Sequence, residues 1–312
     1  MHIIIPDDYQ NAVRTLDCFA KLAGHTVTIY NDTVKDLDTL AARLEPADAL
    51  VLIRERTHIT ADLLARLPRL KLIAQTGRGT THIDLAACAQ RGITVTNGSG
   101  SAHATAELTW ALILAASRYI PQEVARMKAG GWQGHFGRGL HGRTLGVWGL
   151  GGIGSLVAQY GKVFGMRVIV WGREGSLARA RAAGFSPAPD QDMFLAEADV
   201  LSLHIKLSAA TRGLVTAADF AQMKPDALFV NTSRAELIAP GALVEALRAG
   251  RPGYAAVDVY EQEPVAADHP LLAMDNVLCT PHLGYVEKDS YEGYFGQAFK
   301  QVVAFAEGRL VS

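Results

Sequence analysis

The stretch from Thr144 to Gly154, T-L-G-V-W-G-L-G-G-I-G, constrains the fold of this chain more than any other. Residues with strand propensity run directly into Gly149, Gly151 and Gly154 at G-x-G-x-x-G spacing. These glycines allow a tight strand-to-helix turn, a close approach of the backbone to a pyrophosphate, and close packing of helix on strand. A small-residue helix and the strand-like segment 167–171 follow at the distance that a βαβ unit requires. The stretch therefore predicts a dinucleotide site at a helix N-terminus.

The charges of the chain nearly cancel, because 30 Lys and Arg residues stand against 31 Asp and Glu residues in 312. This balance, without a long basic run, argues against nucleic acid or a membrane surface as the partner. The three cysteines are scattered and lack metal-ligand spacing, so no metal site is expected. The N-terminus does not resemble a signal peptide, and the apolar run near 111–116 is too short to span a bilayer. We expect a soluble, cytoplasmic protein.

The first hundred residues alternate between strand and helix patterns. Strands are predicted at 3–5, 25–30, 49–53, 70–74 and 93–96, with helices at 11–23, 37–44, 61–67 and 84–90. Such alternation favours a parallel sheet covered on both faces and joined by right-handed crossovers. This half has no glycine-rich phosphate loop, so we expect it to bind something other than the dinucleotide.

The second half begins with a long helical pattern over 105–128, which Pro121 should break or kink, followed by a glycine-rich segment at 130–139. Strands are predicted at 168–170, 200–203, 228–230, 255–257 and 277–278. From 287 onward, aromatic residues recur at helical spacing, typical of a closing helix that packs on the first domain. We therefore predict an α/β chain of two doubly wound parallel-sheet domains. Residues 1–98 with 286–312 form the substrate domain, and 99–285 form the dinucleotide-binding Rossmann domain.

Three predicted strands of the second half are each followed by side chains that can do chemistry. Arg234 follows the third, Asp258 and Glu263 follow the fourth, and His282 follows the last. Each alone has an ordinary explanation, as a surface cation, an acidic loop or a turn residue. Carboxyl-end loops of one parallel sheet converge on a ligand crevice, however. A cation, a carboxylate and an imidazole are what hydride transfer to a 2-keto acid needs.

Several motifs together resemble the D-isomer-specific 2-hydroxyacid dehydrogenases, the group that includes phosphoglycerate dehydrogenase. They are I-R-E-R-T at 53–57, T-G-R-G at 76–79, the glycine loop at 149–154, N-T-S-R at 231–234, D-V-Y-E-Q-E-P at 258–264 and P-H-L-G at 281–284. The resemblance implies an NAD(P)-dependent oxidoreductase acting on a small D-2-hydroxy acid or 2-keto acid. It implies a Rossmann cofactor domain, a flavodoxin-like substrate domain, and a homodimer joined through the cofactor domain, with 105–128 as the expected contact element.

The resemblance also assigns roles to residues. His282 corresponds to the general acid/base, Glu263 to its paired carboxylate, and Arg234 to the cation that binds the substrate carboxylate. A carboxylate at Glu263 is expected to favour the protonated imidazolium. The implied substrate contacts are Arg54, Gly77, Arg78, Gly79 and Arg234. The implied cofactor contacts are Gly149, Gly151, Gly152, Ile153, Gly154, Gly172, Arg173, His204, Thr232, Ser233, Arg234, Asp258, His282 and Gly284.

The second cofactor strand departs from the family pattern. Most members have an Asp at its end, which binds the ribose 2′-hydroxyl and repels a 2′-phosphate, whereas this chain has Gly172 followed by Arg173. Arg173 could attract the phosphate; alternatively, it stacks over adenine or points to solvent, balanced by Glu174. We expect NAD(H) to be used and NADP(H) to be accepted as well, and an Asp at 172 to restore NAD selectivity.

Two further positions bear on the function. Glu55 stands where phosphoglycerate-specific members have a small hydroxyl residue, so a small unphosphorylated acid is expected. Glu263, rather than an amide, argues against formate dehydrogenase. A different class remains open: the carboxy-terminal binding protein corepressors share the fold and triad but act as dinucleotide-sensing interaction proteins. The chain shows none of their partner-binding extensions, which favours the enzyme.

Overall fold

The structure, a computed structural model, describes residues 1–309. The chain divides into two units, Met1–Ser101 with the C-terminal segment that starts at Val286, and Ala102–Tyr285. The first unit thus runs to Ser101 rather than to 98. The expected range 286–312 includes residues 310–312, which lie outside the described part.

The first unit is built on a five-stranded parallel sheet. Its strands are β1 (His2–Ile5), β2 (Thr26–Ile29), β3 (Ala49–Leu52), β4 (Leu72–Gln75) and β5 (Thr94–Thr96), in the order β2-β1-β3-β4-β5. This order is that of flavodoxin-like folds. The α-helices in its N-terminal part are α1 (Leu37–Leu44), α2 (Ala61–Ala65) and α3 (Leu85–Gln90), and each begins at a side-chain cap, Asp36, Thr60 or Asp84.

The helix expected at 11–23 is absent, and that prediction was wrong. Two short 3₁₀ helices, Val13–Thr15 and Asp17–Leu22, stand there, separated by the extended backbone of Leu16. The carboxylate of Glu292 accepts hydrogen bonds from the backbone N–H groups of Asp17 and Cys18. A contact with a residue 275 positions away along the chain therefore begins the second 3₁₀ helix.

The second unit is built on a seven-stranded parallel sheet. Its strands are β6 (Thr144–Trp148), β7 (Arg167–Trp171), β8 (Ser186–Pro187), β9 (Val200–Leu203), β10 (Leu228–Asn231), β11 (Tyr254–Val257) and β12 (Val277–Cys279). Its helices are α4 (Ala102–Ser117), α5 (Ile120–Lys128), α6 (Gly152–Val163), α7 (Glu174–Ala182), α8 (Gln191–Glu197), α9 (Ala217–Gln222) and α10 (Ala242–Arg248). The order β12-β11-β10-β9-β6-β7-β8 is the Rossmann order with one strand added at an edge.

The helical pattern at 105–128 is interrupted, as expected, but the break lies at Tyr119, two residues before Pro121. Helix α4 ends at Ser117, Tyr119 adopts a left-handed backbone with φ 54°, and α5 starts at Ile120. Pro121 lies in the first turn of α5, where a backbone N–H would have no acceptor within the helix, so its absence costs no hydrogen bond. The proline therefore starts a helix rather than kinking one.

Both sheets of parallel strands are covered on two faces. Along β7, Val168 and Val170 belong to one apolar cluster, while Ile169 belongs to the cluster on the opposite face. The C-terminal helix α11 (Lys288–Ala306) belongs to the first unit and buries the aromatic stripe expected there, Tyr291, Tyr294, Phe295 and Phe299. Within residues 1–309, no helix is both long and apolar enough to cross a membrane.

Candidate active site

The carboxyl ends of neighbouring strands in the seven-stranded sheet carry most of the expected site residues. Gly149 follows β6, Gly172 follows β7 and His204 follows β9. The segment Thr232–Arg234 follows β10, Asp258 follows β11 and Thr280–Gly284 follows β12. Because all these strands are parallel, the residues lie along one edge of the sheet, where open α/β sheets bind ligands.

The glycine-rich loop has the shape that a pyrophosphate needs. Gly149 has φ 97°, and a Cβ there would lie 2.6 Å from the carbonyl oxygen of His204, while a Cβ at Gly154 would collide with the carbonyl oxygen of Gly149. A Cβ at Gly151, by contrast, would meet no described atom within 4 Å. Gly151 is the N-cap of α6, whose first amides have no partner inside the helix. The amides at this helix N-terminus and the room around Gly151 fit a dinucleotide phosphate, which Gly151, Gly152 and Ile153 would hold.

The strand β7 is followed by a glycine with an unusual backbone conformation. Gly172 has φ 149°, and a Cβ there would lie 3.3 Å from the side chain of Ser176. An Asp at this position would therefore be strained, so the expected Gly172→Asp exchange is not a clean probe of cofactor choice. Arg173 is exposed at the N-cap of α7. Arg179, which the sequence reading missed, donates from Nε to the Leu150 carbonyl oxygen at 2.7 Å, beside the glycine-rich loop.

His204 lies under the same loop. Its Nε2 is 2.8 Å from the Ser202 hydroxyl, and its Nδ1 is buried without a hydrogen-bond partner among the described residues. Burial lowers the pKa of His204 to about 4, so the imidazole is neutral near pH 7.

The turn after β10 is held by its own side chains. Asn231 accepts from the Ser233 backbone N–H at 2.9 Å and donates to the Arg234 carbonyl oxygen at 3.0 Å. The Ser233 hydroxyl donates to the Leu203 carbonyl oxygen at 2.7 Å, which ties the turn to β9. The half-buried side chain of Arg234 therefore extends from a fixed backbone at the carboxyl edge of the sheet.

Asp258 is fully buried and is surrounded by donors. Its Oδ1 accepts from the Thr280 hydroxyl at 2.6 Å and from the Leu283 backbone N–H at 2.7 Å, and its Oδ2 accepts from the Gly284 N–H at 2.9 Å. Burial raises the pKa of Asp258, although these bonds and the nearby His282 act in the opposite direction. The observed role of this carboxylate is to hold the turn that carries His282.

His282 and Glu263 form the shortest imidazole–carboxylate contact at this edge. The Nδ1 of His282 lies 2.6 Å from Oε2 of Glu263, and Oε1 of Glu263 accepts from the Tyr260 backbone N–H at 3.0 Å. The ring of Tyr285 packs edge-on against the imidazole, with centroids 5.4 Å apart. His282 itself has φ 53°, a left-handed conformation that costs energy for a residue with a Cβ and is common at functional sites.

The contact places the two nitrogens of His282 in different surroundings. Because a carboxylate accepts hydrogen bonds, the Nδ1–H is the donor towards Glu263. The second nitrogen, Nε2, is not engaged by Glu263. Because 22% of the His282 side chain remains exposed, the imidazole can reach a ligand.

Tyr260 is a positioning residue that the sequence reading missed. Its backbone holds Glu263, and its hydroxyl donates to the Thr280 carbonyl oxygen at 3.1 Å. Burial raises the pKa of Tyr260, so the phenol stays protonated and keeps this bond. Its place inside the D-V-Y-E-Q-E-P motif was the only signal available in the sequence.

The remaining expected residues lie in the first unit. Gly77, Arg78 and Gly79 follow β4, and Arg54 follows β3, so they share the carboxyl edge of the five-stranded sheet. The side-chain amide of Gln75 donates to the carbonyl oxygens of Arg54 at 2.9 Å and Gly79 at 3.0 Å, which joins the two loops.

Comparison with known proteins identifies the family. Residues 110–284 match the family model of the D-isomer specific 2-hydroxyacid dehydrogenase, NAD binding domain. A glyoxylate reductase from Aeropyrum pernix is 39% identical over 88% of this chain and 84% of its own length. A D-3-phosphoglycerate dehydrogenase from Methanocaldococcus jannaschii is 37% identical over 88% of this chain, which spans only 52% of that protein.

Among solved structures, a phosphoglycerate oxidoreductase from Vibrio cholerae is 56% identical and superposes with a TM-score of 0.97, covering 99% of both chains. The chain belongs to the D-isomer-specific 2-hydroxyacid dehydrogenase family, and it is an oxidoreductase that uses NAD(H).

Proposed function

We propose that this enzyme interconverts a small, unphosphorylated 2-keto acid and its D-2-hydroxy acid, with His282 as the general acid/base. The observation that carries the proposal is the 2.6 Å contact between Nδ1 of His282 and Glu263, at the sheet edge that also carries the glycine-rich loop. Arg234, on the rigid turn after β10, is proposed to bind the substrate carboxylate, since a guanidinium matches a carboxylate with two parallel hydrogen bonds.

In the reductive direction, His282 acts as the acid, and Glu263 accepts the hydrogen bond from its Nδ1–H. Nε2 faces the carbonyl oxygen and gives up its proton as negative charge develops there. When bound, the nicotinamide supplies or accepts the hydride at the carbon that bears this oxygen. In the oxidative direction, neutral Nε2 takes the hydroxyl proton. Throughout, the Nδ1 proton stays on the bond to Glu263 and keeps the ring oriented.

The first unit is proposed to contribute to substrate binding. Backbone N–H groups of Gly77, Arg78 and Gly79, with the Arg54 guanidinium, are the groups we assign to the substrate carboxylate. The negative Glu55 beside this loop disfavours a phosphoester, which leads us to propose an unphosphorylated acid. Glyoxylate is the natural first probe, because the match to this chain covers 84% of a relative that is named a glyoxylate reductase. The alternative, a dinucleotide-sensing corepressor, is not favoured, since the matched relatives carry the names of reductases and dehydrogenases.

Exchanging either member of the imidazole–carboxylate pair tests the mechanism. His282→Ala should lower kcat for glyoxylate reduction by roughly 10²–10⁴-fold while NADH binding, followed by fluorescence, persists. Glu263→Gln should lower kcat, because an amide replaces the carboxylate that accepts from Nδ1 of His282 and orients the ring. Glu261→Gln, the same exchange in the same loop but facing His269, is the control. Wild-type kcat in Glu263→Gln would remove Glu263 from the mechanism.

Asp258→Asn tests the support of the catalytic turn. An amide offers one acceptor where the carboxylate offers two, so at least the bond from the Gly284 N–H is lost. His282 should then leave its left-handed conformation part of the time, and kcat should fall by up to about 10²-fold, as expected for a small misplacement of a catalytic group. Asp268→Asn, at an exposed aspartate of the loop between β11 and β12, serves as the control. Wild-type kcat in Asp258→Asn would show that the turn needs no such support.

We further propose that NADP(H) is accepted alongside NAD(H). Two structural features support this: Gly172 presents no carboxylate to repel a 2′-phosphate, and the exposed Arg173 follows it directly. A charge-assisted bond is worth roughly 1.5–3 kcal/mol, and solvent screening at an exposed site reduces this value.

Arg173→Ala should therefore weaken NADP(H) several-fold and leave NAD(H) nearly unchanged. The measurements are kcat/KM with each cofactor and the affinity for 2′,5′-ADP by calorimetry. Arg248→Ala removes the same charge from the exposed end of α10 and is the matched control. If the ratio of the two kcat/KM values does not change, Arg173 is a solvated surface residue.

We propose that the protein forms a homodimer through the second unit. We also propose a cytoplasmic location, which rests on the sequence argument alone. Helix α5 buries none of its residues, and Ile120, Val124 and Met127 lie along one exposed face of it. Trp132 and Phe136 follow and are 72% and 99% exposed. A cluster of large exposed apolar side chains of this kind is typical of a protein interface.

Sedimentation at micromolar concentration tests the assembly. The wild-type chain should be a dimer, and Met127→Asp should yield monomers because a charge would be buried in the apolar contact. Val163→Asp, at another highly exposed apolar residue of the second unit, should remain a dimer. A monomeric wild-type protein would contradict the proposal.

A further inference from the structure

Helix α4 lies against the carboxyl-end loops that carry His282 and Arg234. It packs on β10, β11 and β12. Its first residue, Ala102, lies beside the glycine-rich loop, because a Cβ built on Gly152 would be 3.7 Å from the Ala102 Cβ. In the sheet, β11 separates β10 from β12, so the loops of His282 and Arg234 do not leave neighbouring strands. The helix therefore connects loops that the sheet itself keeps apart.

The hydroxyl of Thr105 in α4 holds the turn that carries His282. It donates to the Gly284 carbonyl oxygen at 2.8 Å, while the N–H of the same glycine donates to Asp258 at 2.9 Å. A Cβ on Gly284 would lie 3.3 Å from the Asp258 carboxylate and 3.4 Å from the Thr105 methyl group, so the glycine fits closely against both. Both backbone polar groups of this residue, two positions after His282, are therefore held by side chains.

One turn further along the helix, Thr109 holds the turn that carries Arg234. Its hydroxyl donates to the Thr105 carbonyl oxygen at 2.7 Å and lies 2.8 Å from the hydroxyl of Thr232. A hydroxyl has a single proton, and that of Thr109 is used within the helix, so Thr232 is the donor of the second bond. Both hydroxyl-bearing residues are buried, so Thr232 without this acceptor would be left unsatisfied.

The two threonines lie four residues apart on one face of α4. Such a step along a helix is about 6 Å, so the regular backbone of α4 sets the distance between the two points at which it holds the loops. The helix is itself fixed, because the indole N–H of Trp110 donates to the Val157 carbonyl oxygen of α6 at 3.1 Å. Helix α6 begins at the glycine-rich loop.

We propose that Thr105 and Thr109 are positioning residues that set where His282 stands relative to Arg234. Thr105 acts through the turn of His282 and therefore affects proton transfer. Thr109 acts through the turn of Arg234 and therefore affects binding of the substrate carboxylate. This inference rests on the proposed function, in which the two side chains act on the same 2-keto acid.

Steady-state kinetics of glyoxylate reduction at saturating NADH test the two roles separately. Thr105→Val keeps the shape of the side chain and removes the donor to Gly284. Its kcat should fall about two- to tenfold, the range for one hydrogen bond between neutral groups, with KM nearly unchanged. Thr109→Val removes the acceptor of Thr232, so KM for glyoxylate should rise by a similar factor with kcat nearly unchanged. Thr105→Ser and Thr109→Ser keep the hydroxyls and should recover most of the loss.

Thr144→Val is the matched control. It removes a buried hydroxyl at the start of β6, on the opposite edge of the same sheet, and should alter neither kcat nor KM. Thermal denaturation and NADH fluorescence show that each variant is folded.

Two results would overturn the inference and leave the proposed function standing. In the first, both valine variants keep wild-type kcat and KM. In the second, kcat and KM change together in both variants and serine restores neither, as a general loss of structure would produce. If the wild-type enzyme bound NADH but reduced no 2-keto acid, the proposed function would fail, and the inference with it.

Discussion

The carboxylate of Asp258 is the interaction on which the arrangement of the reactive groups depends. A buried carboxylate is costly unless donors surround it, and the turn 280–284 supplies three of them. In return, these bonds hold His282 in a left-handed backbone that it would not adopt alone. The turn directs Nδ1 at Glu263, and Tyr260 fixes Glu263 and Thr280 from the other side. A single buried charge therefore organises the imidazole, its partner and the loop between them.

The second unit places the groups proposed for cofactor binding and proton transfer along one sheet edge. Its glycine-rich loop is shaped by steric exclusion, since a Cβ at Gly149 or Gly154 would meet backbone atoms, whereas Gly151 faces open space. The end of β7 is shaped in the same way by the positive φ of Gly172. This position therefore combines a backbone that favours glycine with the absence of a carboxylate. In the proposed function, cofactor preference depends on the neighbouring Arg173.

The first unit uses glycine for a different purpose. Gly77 and Gly79 leave room for the side chains of Arg54 and Glu55, which cover the loop backbone with charges of opposite sign. In the proposed function the two units therefore have different tasks. Proton transfer and dinucleotide binding are assigned to the second unit, and the loop 77–79 of the first unit is assigned to the substrate carboxylate.

The sequence by itself determined the two parallel sheets, the glycine-rich loop and the residues at the strand ends. These features are local: strand patterns have period two, and a glycine turn between a strand and a helix needs only its neighbours. Tertiary structure decided what depends on distant partners. Two 3₁₀ helices stand where a helix was expected at 11–23, and the distant Glu292 accepts the hydrogen bonds at the start of the second one. The left-handed Tyr119, rather than Pro121, follows the end of α4. The bonds by which Asp258 holds the turn of His282 also came only from the tertiary structure, because their donors lie more than twenty positions away.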